Sequence, residues 1–337
     1  MEQGGKNMKK IILLILSFVF VLSCSQNVKS LNEEKQQLKE ITEKINNDFE
    51  SLIPEIDETA TFIESLYQVD NVKNNLKLAK KENYELSEKG VFYKKNYENT
   101  TAVFVSGAVP VDEKIKEIVY FTEPLDDFFK DKIKGSIVQI YYNDENSYNR
   151  IYPSFDVLTQ YEPGMAIPDY NFYYLANEKY NPEKKAVWVN EPYVDPAGRG
   201  WMVSLIKPVY FNNRVVGVPG IDITINTVID KYLTGENQDI LIFTKEGTIV
   251  ATSEKIAELL SLPLLKDHKY IETIKSDTYL AEDFNLIKSK NKDVRLLLEK
   301  IIKDNVEETT YSKSSKKYTV ISNKIKVLDW ICIKFVE

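Results

Sequence analysis

The chain has 337 residues, with 51 acidic and 44 basic side chains and a formal net charge of −7 at pH 7. That balance argues against a nucleic-acid-binding domain, because such domains bind phosphate through clustered Lys and Arg. A single His, two Cys and scattered Gly exclude a His-centred triad, a His-rich zinc site and a glycine-rich nucleotide loop. We therefore expect no enzyme, no metal and no cofactor, and the length predicts two globular domains.

The N-terminus has the pattern of an export signal. Lys9 and Lys10 precede an apolar run, Ile11–Leu22, which is too short to cross a bilayer but has the length of a signal-peptide core. The sequence VLSC that follows resembles the lipobox of bacterial lipoproteins. We predict that residues 1–23 are a signal peptide and that Cys24 is acylated. The alternatives are an ordinary cleaved signal and an uncleaved signal anchor.

Removal of residues 1–23, which contain three Lys and one Glu, lowers the net charge from −7 to about −9. An acidic protein is not held at a membrane by a basic patch, so we expect attachment through the acyl chains on Cys24. The protein would then lie outside the cytoplasm, in the periplasm or on the cell surface. Cys332 would have no disulfide partner, and its apolar surroundings predict a buried small hydrophobic residue.

A long helix is predicted after the anchor. Ser30 and Glu33 form a capping box, and Pro54 should bend the helix, which we place at about residues 30–68. One apolar stripe at helical spacing continues along it: Leu31, Leu38, Ile41, Ile45, Phe49, Leu52, Ile56, Ala60, Ile63 and Leu66. A coiled-coil stalk is one interpretation, but the stripe is short and irregular. We favour a helix that supports two domains.

An antiparallel sheet with an insertion is predicted next. The insertion is the aromatic-rich stretch Phe155–Tyr180. The predicted elements around it are strand Thr101–Ser106, helix Val111–Lys134 interrupted near Pro124, strands Ser136–Asp144 and Tyr148–Pro153, and three strands in AVWVNEPY, GWMVSLIKPVYF and RVVGVPGIDIT. The acidic segment Asn143–Ser147 lacks the alternating oxygens and the Gly of a calcium loop, so we interpret it as a hairpin turn.

A smaller unit follows, in which Asp239–Ser253 is predicted as a hairpin and residues 254–262 and 283–304 as helices. Three closing strands are predicted in ETTYSKSS, KKYTVISNKI and DWICIKFVE. The hairpins of the two halves occupy similar places, which indicates an internal repeat of architecture without sequence identity. The fold class is α+β: a long N-terminal helix and two PAS-like antiparallel units in tandem.

This organisation, together with Asn190–Ile225 (NEPYVDPAGRGWMVSLIKPVYFNNRVVGVPGIDITI), resembles the double Cache (dCache) sensor domains of bacterial chemoreceptors and sensor kinases. The resemblance implies that residues 24–68 are the lipid anchor and long helix. It further implies that residues 69–230 are a membrane-distal unit with the ligand pocket and residues 231–337 a membrane-proximal unit.

The resemblance also implies site residues. Tyr193 and Asp195 match a Tyr-x-Asp of the family pocket, and Asp222 matches the Asp after VGVxG. The segment DYNFYYLA stands where amino-acid sensors have Arg-x-Trp-Tyr, so the Arg that captures an α-carboxylate is missing. Arg150 is the available replacement. The complete predicted ligand-binding set is Arg150, Asp169, Tyr173, Tyr174, Tyr193, Asp195, Trp201 and Asp222.

Carboxylates beside aromatic faces suit an ammonium group. The structural alternative is that the aromatic residues only pack and that Asp195 only orders a turn; Trp188 and Trp330 we assign to the core. We expect a lipoprotein that binds a small amine or amino acid and reports to a separate signalling or transport protein. A surface adhesin or a solute-scavenging lipoprotein on the same scaffold is the alternative.

Overall fold

The computed structural model describes residues 30–262 and 284–337. The predicted signal peptide, Cys24 and His268 lie outside these residues. Within the two described ranges, no helix is both long enough and apolar enough to cross a membrane.

The long N-terminal helix is confirmed. Helix α1 covers residues 30–50, two turn residues follow, and helix α2 covers Ile53–Leu66. Pro54 lies in the first turn of α2, where its missing N–H costs nothing, and the break falls just before it, as predicted. Most of the predicted stripe is buried, and Leu31 and Ile41 are partly buried against the same core.

The first sheet has nine strands, and it begins earlier in the chain than predicted. Helix α3 (Val69–Leu78) and two short strands, β1 (Tyr84–Leu86) and β2 (Phe92–Lys94), precede the first predicted strand. Strands of three residues are too short to show a clear alternation pattern. The remaining elements are β3 (Ala102–Val105), α4 (Glu113–Phe121), α5 (Leu125–Lys130), β4 (Gln139–Asn143), β5 (Tyr148–Tyr152), α6 (Val157–Gln160), α7 (Asn171–Tyr174), β6 (Val187–Val194), β7 (Trp201–Ile206), β8 (Val209–Phe211), β9 (Arg214–Thr224) and α8 (Ile225–Tyr232).

The second sheet has five strands. Its elements are β10 (Ile240–Thr244), β11 (Ile249–Thr252), α9 (Glu254–Leu260), α10 (Lys292–Ile302), β12 (Glu308–Lys313), β13 (Lys316–Ile325) and β14 (Trp330–Val336). Its strand order is β11-β10-β14-β13-β12, and the first sheet contains β5-β4-β9-β7-β6. If the five strands of each series are numbered by their order in the chain, leaving out β8, both series read 2-1-5-4-3 across the sheet. The internal repeat is therefore present in the topology.

The two faces of the first sheet pack against different cores. One face, with Tyr142 and Val203, joins a large core that also contains the buried side of α1 and α2 and the second sheet. The other face, with Tyr141 and Ile206, packs under the segment that contains α6 and α7. Side chains alternate between faces along each strand, so neighbouring residues of β4, β5, β7 and β9 belong to different cores.

A bulge in β6 contacts the second sheet. Val189 pairs with Ser204 and Tyr193 pairs with Met202, so residues 190–192 lie opposite Val203 alone. Within the bulge, the Asn190 side chain donates to the Leu328 carbonyl at 3.0 Å, and Trp330 Nε1 donates to the Asn190 carbonyl at 2.7 Å. The Trp330 ring packs against Phe49 of α1 at 5.9 Å between centroids. The bulge thus connects the first sheet to the second sheet and, through Trp330, to α1.

Candidate functional site

Asp222 lies at the centre of a polar row on the inner face of the first sheet. It is fully buried on β9 and pairs directly with Gln139 of β4 and Ser204 of β7. Gln139 Nε2 and Ser204 Oγ donate to its two carboxylate oxygens. Tyr193 and Ser204 share a further hydrogen bond of 2.5 Å between their hydroxyl oxygens. Side chains of β4 and β7 therefore contact this carboxylate directly, and Tyr193 of β6 is joined to it through Ser204.

Asp195 lies in the turn that follows β6. Its side chain accepts hydrogen bonds from the backbone N–H groups of Ala197 at 2.9 Å and Arg199 at 3.2 Å. The Arg199 guanidinium is held at the side by the carbonyls of Val138 and Pro153, at 2.8 and 2.9 Å. Asp195 thus orders the turn and also lines a cavity that it shares with Asp222.

A narrow cavity separates the polar row from the segment with α6 and α7. Its lining is Gln139, Tyr141, Asn143, Asn149, Ile151, Tyr161, Met165, Ile167, Phe172, Tyr193, Asp195, Pro196 and Asp222. The volume open to the centre of a water molecule is about 20 Å³, which is enough for a water but well below the space an amino acid needs. An amino acid would therefore fit only if the residues around the cavity moved apart.

Aromatic rings form one wall of the cavity. Phe172 is at their centre, with ring centroids 6.0 Å from Tyr141 and 5.5 Å from Tyr193. The Tyr141 ring lies over Gly220, its partner across β4 and β9. A Cβ at Gly220 would be 2.1 Å from Tyr141 Cζ, so only glycine leaves room for this ring.

Burial dominates the electrostatics of the cavity. Burial, followed by the charge of Asp195, raises the pKa of Asp222 to about 7. Burial raises the pKa of Asp195 to about 6, against the lowering effect of the Ala197 and Arg199 amides and the Arg199 charge. Both charged residues in the lining are carboxylates, so the cavity favours a cation.

Two polar atoms at the cavity have no hydrogen-bond partner among the described residues. They are Gln139 Oε1 and the Tyr141 hydroxyl, on side chains that are 2% and 3% exposed. Buried polar atoms without partners are rare, because each costs about 1–3 kcal/mol. Among the described residues there is also no group of three or more His, Cys, Asp or Glu side chains that could hold a metal ion.

No protein-family model and no curated protein matches the sequence. Solved structures do match: the ligand-binding domain of the Pseudomonas fluorescens chemoreceptor CtaA is similar in two complexes. The complex with L-serine has a TM-score of 0.52 and 13% identity, over 91% of this chain and 96% of that chain. The complex with L-alanine has a TM-score of 0.51 and 12% identity, over 90% and 96%. The chain has the double Cache fold.

Three of the predicted site residues come together in the double Cache cavity: Tyr193, Asp195 and Asp222. They belong to the segment with the most specific resemblance. Ligand binding by these three residues remains a prediction.

Arg150 does not reach the cavity. It is fully buried on the opposite face of β5, where it forms an ion pair with Asp126 and donates to Tyr148, Tyr84 and the Val119 carbonyl. In the register of the sheet, Arg150 is directly opposite Tyr142 of the large core. The structure therefore corrects its suggested role as the donor to a ligand carboxylate.

The remaining four predicted residues also lie outside the cavity lining. Asp169 is exposed, and Tyr174 is half-buried and packs on Tyr180 at 5.4 Å between ring centroids. Tyr173 is buried, but its neighbour Phe172 is the residue of α7 that lines the cavity. Because α7 has only four residues, sequence periodicity could not fix which side chain points inward.

Trp201 belongs to the large core. It is 7% exposed, and its ring packs against Phe284 at 5.4 Å between centroids. Alternation along β7 places Trp201 on the face opposite Ser204, which is the residue that contacts Asp222. Trp330 is fully buried as predicted, and Trp188 is half-buried against the same core.

The sequence-based set missed the polar residues of β4 and β5 that line the double Cache cavity: Gln139, Tyr141, Asn143 and Asn149. A signal was available, since alternate positions of the predicted strand Ser136–Asp144 read Gln, Tyr, Asn. Buried strands normally place apolar residues on both faces, so this polar alternation marks a cavity. The Asn149 amide donates to Asn143 Oδ1 at 2.7 Å.

Proposed function

We propose that this chain is a ligand-binding sensor domain, not an enzyme, and that its cavity binds a small amine or amino acid through the ligand's ammonium group. The observation that supports this most strongly is the meeting of Asp195 and Asp222 at a cavity whose lining contains no Lys or Arg. A buried pair of carboxylates is costly unless a cation joins it. The Tyr141, Tyr193 and Phe172 rings add favourable cation–π contacts.

The carboxylate of an amino acid would find weaker donors. Since Arg150 lies on the other face of the sheet, the available groups are neutral ones, such as the Tyr141 hydroxyl and the Asn143 and Asn149 amides. The similar CtaA domain was solved with L-serine and L-alanine. For this chain we propose that the ammonium end is the invariant part of the ligand.

The test is a thermal-shift screen of amines and amino acids, followed by calorimetry of the hits. A ligand at 100 times its Kd should stabilise the fold by about 2.7 kcal/mol. Asp222→Asn and Asp195→Asn should each weaken binding by at least about tenfold, because each removes a charge-assisted contact of about 1.5–3 kcal/mol.

Tyr210→Phe is the matched control, since Tyr210 is on β8 and outside the cavity lining. It should bind like the wild type. A broad library with no hit, or hits that bind the two Asn variants at wild-type affinity, would refute the proposed site.

We further propose that the protein is exported by residues 1–23 and held outside the cytoplasm by lipid on Cys24. Residues 24–68 would then be the anchor and helix, 69–230 the membrane-distal unit and 231–337 the membrane-proximal unit. The support is the lipobox-like sequence. Mass spectrometry of the mature N-terminus should find an acylated Cys24, and Cys24→Ser should move the protein from the membrane to the soluble fraction.

We also propose that the domain reports to a separate protein, for signalling or transport. The support is that acyl chains hold a protein at a membrane surface but do not transmit a conformational change through it. Crosslinking in cells with and without ligand should capture a ligand-dependent partner. If a macromolecule instead binds equally well to Asp222→Asn, the adhesin alternative is favoured, whereas ligand transfer to a transporter favours scavenging.

A further inference from the structure

We propose that Gln139 makes the cavity selective for primary ammonium groups over N-methylated ones, so that quaternary ammonium compounds are rejected. This inference rests on the proposed function, and it narrows the ligand class of the same site. It begins from the carbonyl oxygen of the Gln139 side chain, which is buried without a partner among the described residues.

The orientation of the Gln139 amide is fixed by its neighbour. When a cation is bound, Asp222 is ionised and only accepts hydrogen bonds, so the NH₂ group faces Asp222, to which it donates. The same NH₂ group also contacts Met202 Sδ, at 3.7 Å from Nε2, and the carboxylate of Asp195. A flipped amide would place two acceptors against each other and leave the NH₂ group without Asp222. The oxygen is therefore the atom that lacks a partner.

A primary ammonium group supplies what this oxygen lacks. It has three N–H donors, and the acceptors that line the cavity include Gln139 Oε1 and the carboxylates of Asp222 and Asp195. Asp222 and Asp195 each already accept two hydrogen bonds, but a carboxylate has about four lone-pair sites. One primary ammonium group therefore has enough N–H donors for Gln139 Oε1 and both carboxylates.

A quaternary ammonium group has no N–H at all. Its positive charge would still be attracted to the aromatic rings and the carboxylates, but Gln139 Oε1 would be sealed in the cavity without a donor. Leaving a buried acceptor unsatisfied weakens binding by about 5- to 150-fold.

The experiment compares ethanolamine, N,N-dimethylethanolamine and choline, which differ only in methylation of the nitrogen. Calorimetry on the wild-type protein should give dissociation constants that rise with methylation, with choline at least about fivefold weaker than ethanolamine. In Gln139→Met, which keeps the length of the side chain and removes the amide, ethanolamine should lose most of its advantage over choline.

Ser204→Ala is the matched control, because it removes the other donor to Asp222 but keeps the Gln139 oxygen. It should weaken all three ligands together and preserve their ratio. Gln139→Asn, which keeps an amide but withdraws it by one methylene, provides a second test of the ratio if Gln139→Met does not fold. Melting curves establish that each variant is folded.

The inference is overturned if wild-type protein binds choline as tightly as ethanolamine, if ethanolamine does not bind, or if folded Gln139 variants keep the wild-type ratio. These results leave the proposed function standing as long as some amine or amino acid binds at the Asp222 site. If no compound in the broad screen binds, the proposed function itself fails.

Discussion

Asp222 and Asp195 are two carboxylates in one cavity, and their protonation should govern both ligand binding and stability. Their surroundings on each side are the Tyr141, Tyr161 and Tyr193 hydroxyls and the Arg199 guanidinium. Burial raises the pKa of each of these tyrosines well above 10, so the two aspartates are the groups in the cavity that titrate near neutral pH.

Affinity for a cationic ligand should rise with pH between about 5 and 8. With pKa values of about 6 for Asp195 and about 7 for Asp222, the empty site is partly protonated in this range and an ammonium ligand must displace a proton. Each proton released changes affinity by up to about tenfold per pH unit. Calorimetry in buffers of different ionisation enthalpy measures the proton release. A pH-independent affinity would contradict this account, and Asp222→Asn should flatten the profile.

In the absence of ligand, the free energy of unfolding should decrease as the pH rises. Because both pKa values are raised above the ordinary 3.8, the folded state binds these protons more tightly than the unfolded state. Their contribution to the free energy of unfolding is fully present below about pH 4 and is lost as the pH rises through 6 and 7. Urea denaturation of wild type and Asp222→Asn across this range isolates the contribution of Asp222, which should disappear in the variant.

Arg150 should matter for folding and not for ligand recognition. Arg150→Met leaves Asp126 partly buried without its main partner, since burial raises the pKa of Asp126 while Arg150 and Lys94 hold it below its usual value. Breaking a buried pair in this way costs about 3–5 kcal/mol. Urea denaturation should show this loss, and the folded variant should bind the ligand at wild-type affinity. A selective loss of affinity would restore the sequence-based prediction.

At the scale of elements, the pairing of β4 with β9 shapes the cavity. Gly220→Ala would place a Cβ 2.1 Å from Tyr141 Cζ, so the ring must leave its position beside Phe172. We expect a loss of about 1–3 kcal/mol in stability and weaker ligand binding. Gly164→Ala is the control, because the nearest atom to its new Cβ is Ala108 Cβ at 4.0 Å. If Gly220→Ala and Gly164→Ala change stability and ligand binding equally, the position of the Tyr141 ring does not shape the cavity.

The β6 bulge is the second element with a testable role. Asn190→Ala removes the hydrogen bond to the Leu328 carbonyl, which should lower the free energy of unfolding by about 1 kcal/mol. Asn96→Ala is the control, since its bond to Asn83 is exposed, and its effect should stay within about 0.5 kcal/mol. If the two variants are equally stable in urea, the bulge does not join the two sheets energetically.

The strands themselves could largely be predicted from the sequence, whereas the face that each side chain occupies could not. Arg150 and Asn149 are neighbours, and the choice between them depends on the register of β5 against β4. That register is set by the hairpin turn, where Asp144 accepts hydrogen bonds from the backbone of Asn146 and Tyr148. A shift of one residue would exchange every side chain between the two cores.

At the scale of the whole molecule, one large core joins the long helix to both sheets. We therefore expect the described ranges to unfold in a single cooperative transition. Ligand bound under the first sheet should slow hydrogen exchange of the most protected amides of β14, such as that of Ile333, as much as those of β9. At 100 times the Kd, the slowing should correspond to about 2.7 kcal/mol. Protection confined to the first sheet would show two independent domains.

The overall arrangement was accessible from the sequence, because the helical stripe, the two similar hairpins and the segment Asn190–Ile225 all indicate one fold. The cavity was only partly accessible. Tyr193, Asp195 and Asp222 are in a recognisable segment, but Gln139 and Ser204 join them through pairing between strands that are far apart in the chain. The alternation within one strand does not reveal which residue of a distant strand it will pair with.

The narrowness of the cavity has a kinetic consequence. Its lining is almost entirely buried under the segment with α6 and α7, so a ligand can reach Asp222 only as fast as that segment opens. Association should then be slower than the roughly 10⁵–10⁷ M⁻¹s⁻¹ that is typical when two proteins dock, and its observed rate should level off as ligand concentration increases. A slow-opening site releases its ligand slowly as well. The domain would therefore average out brief changes in its surroundings and respond to sustained ones.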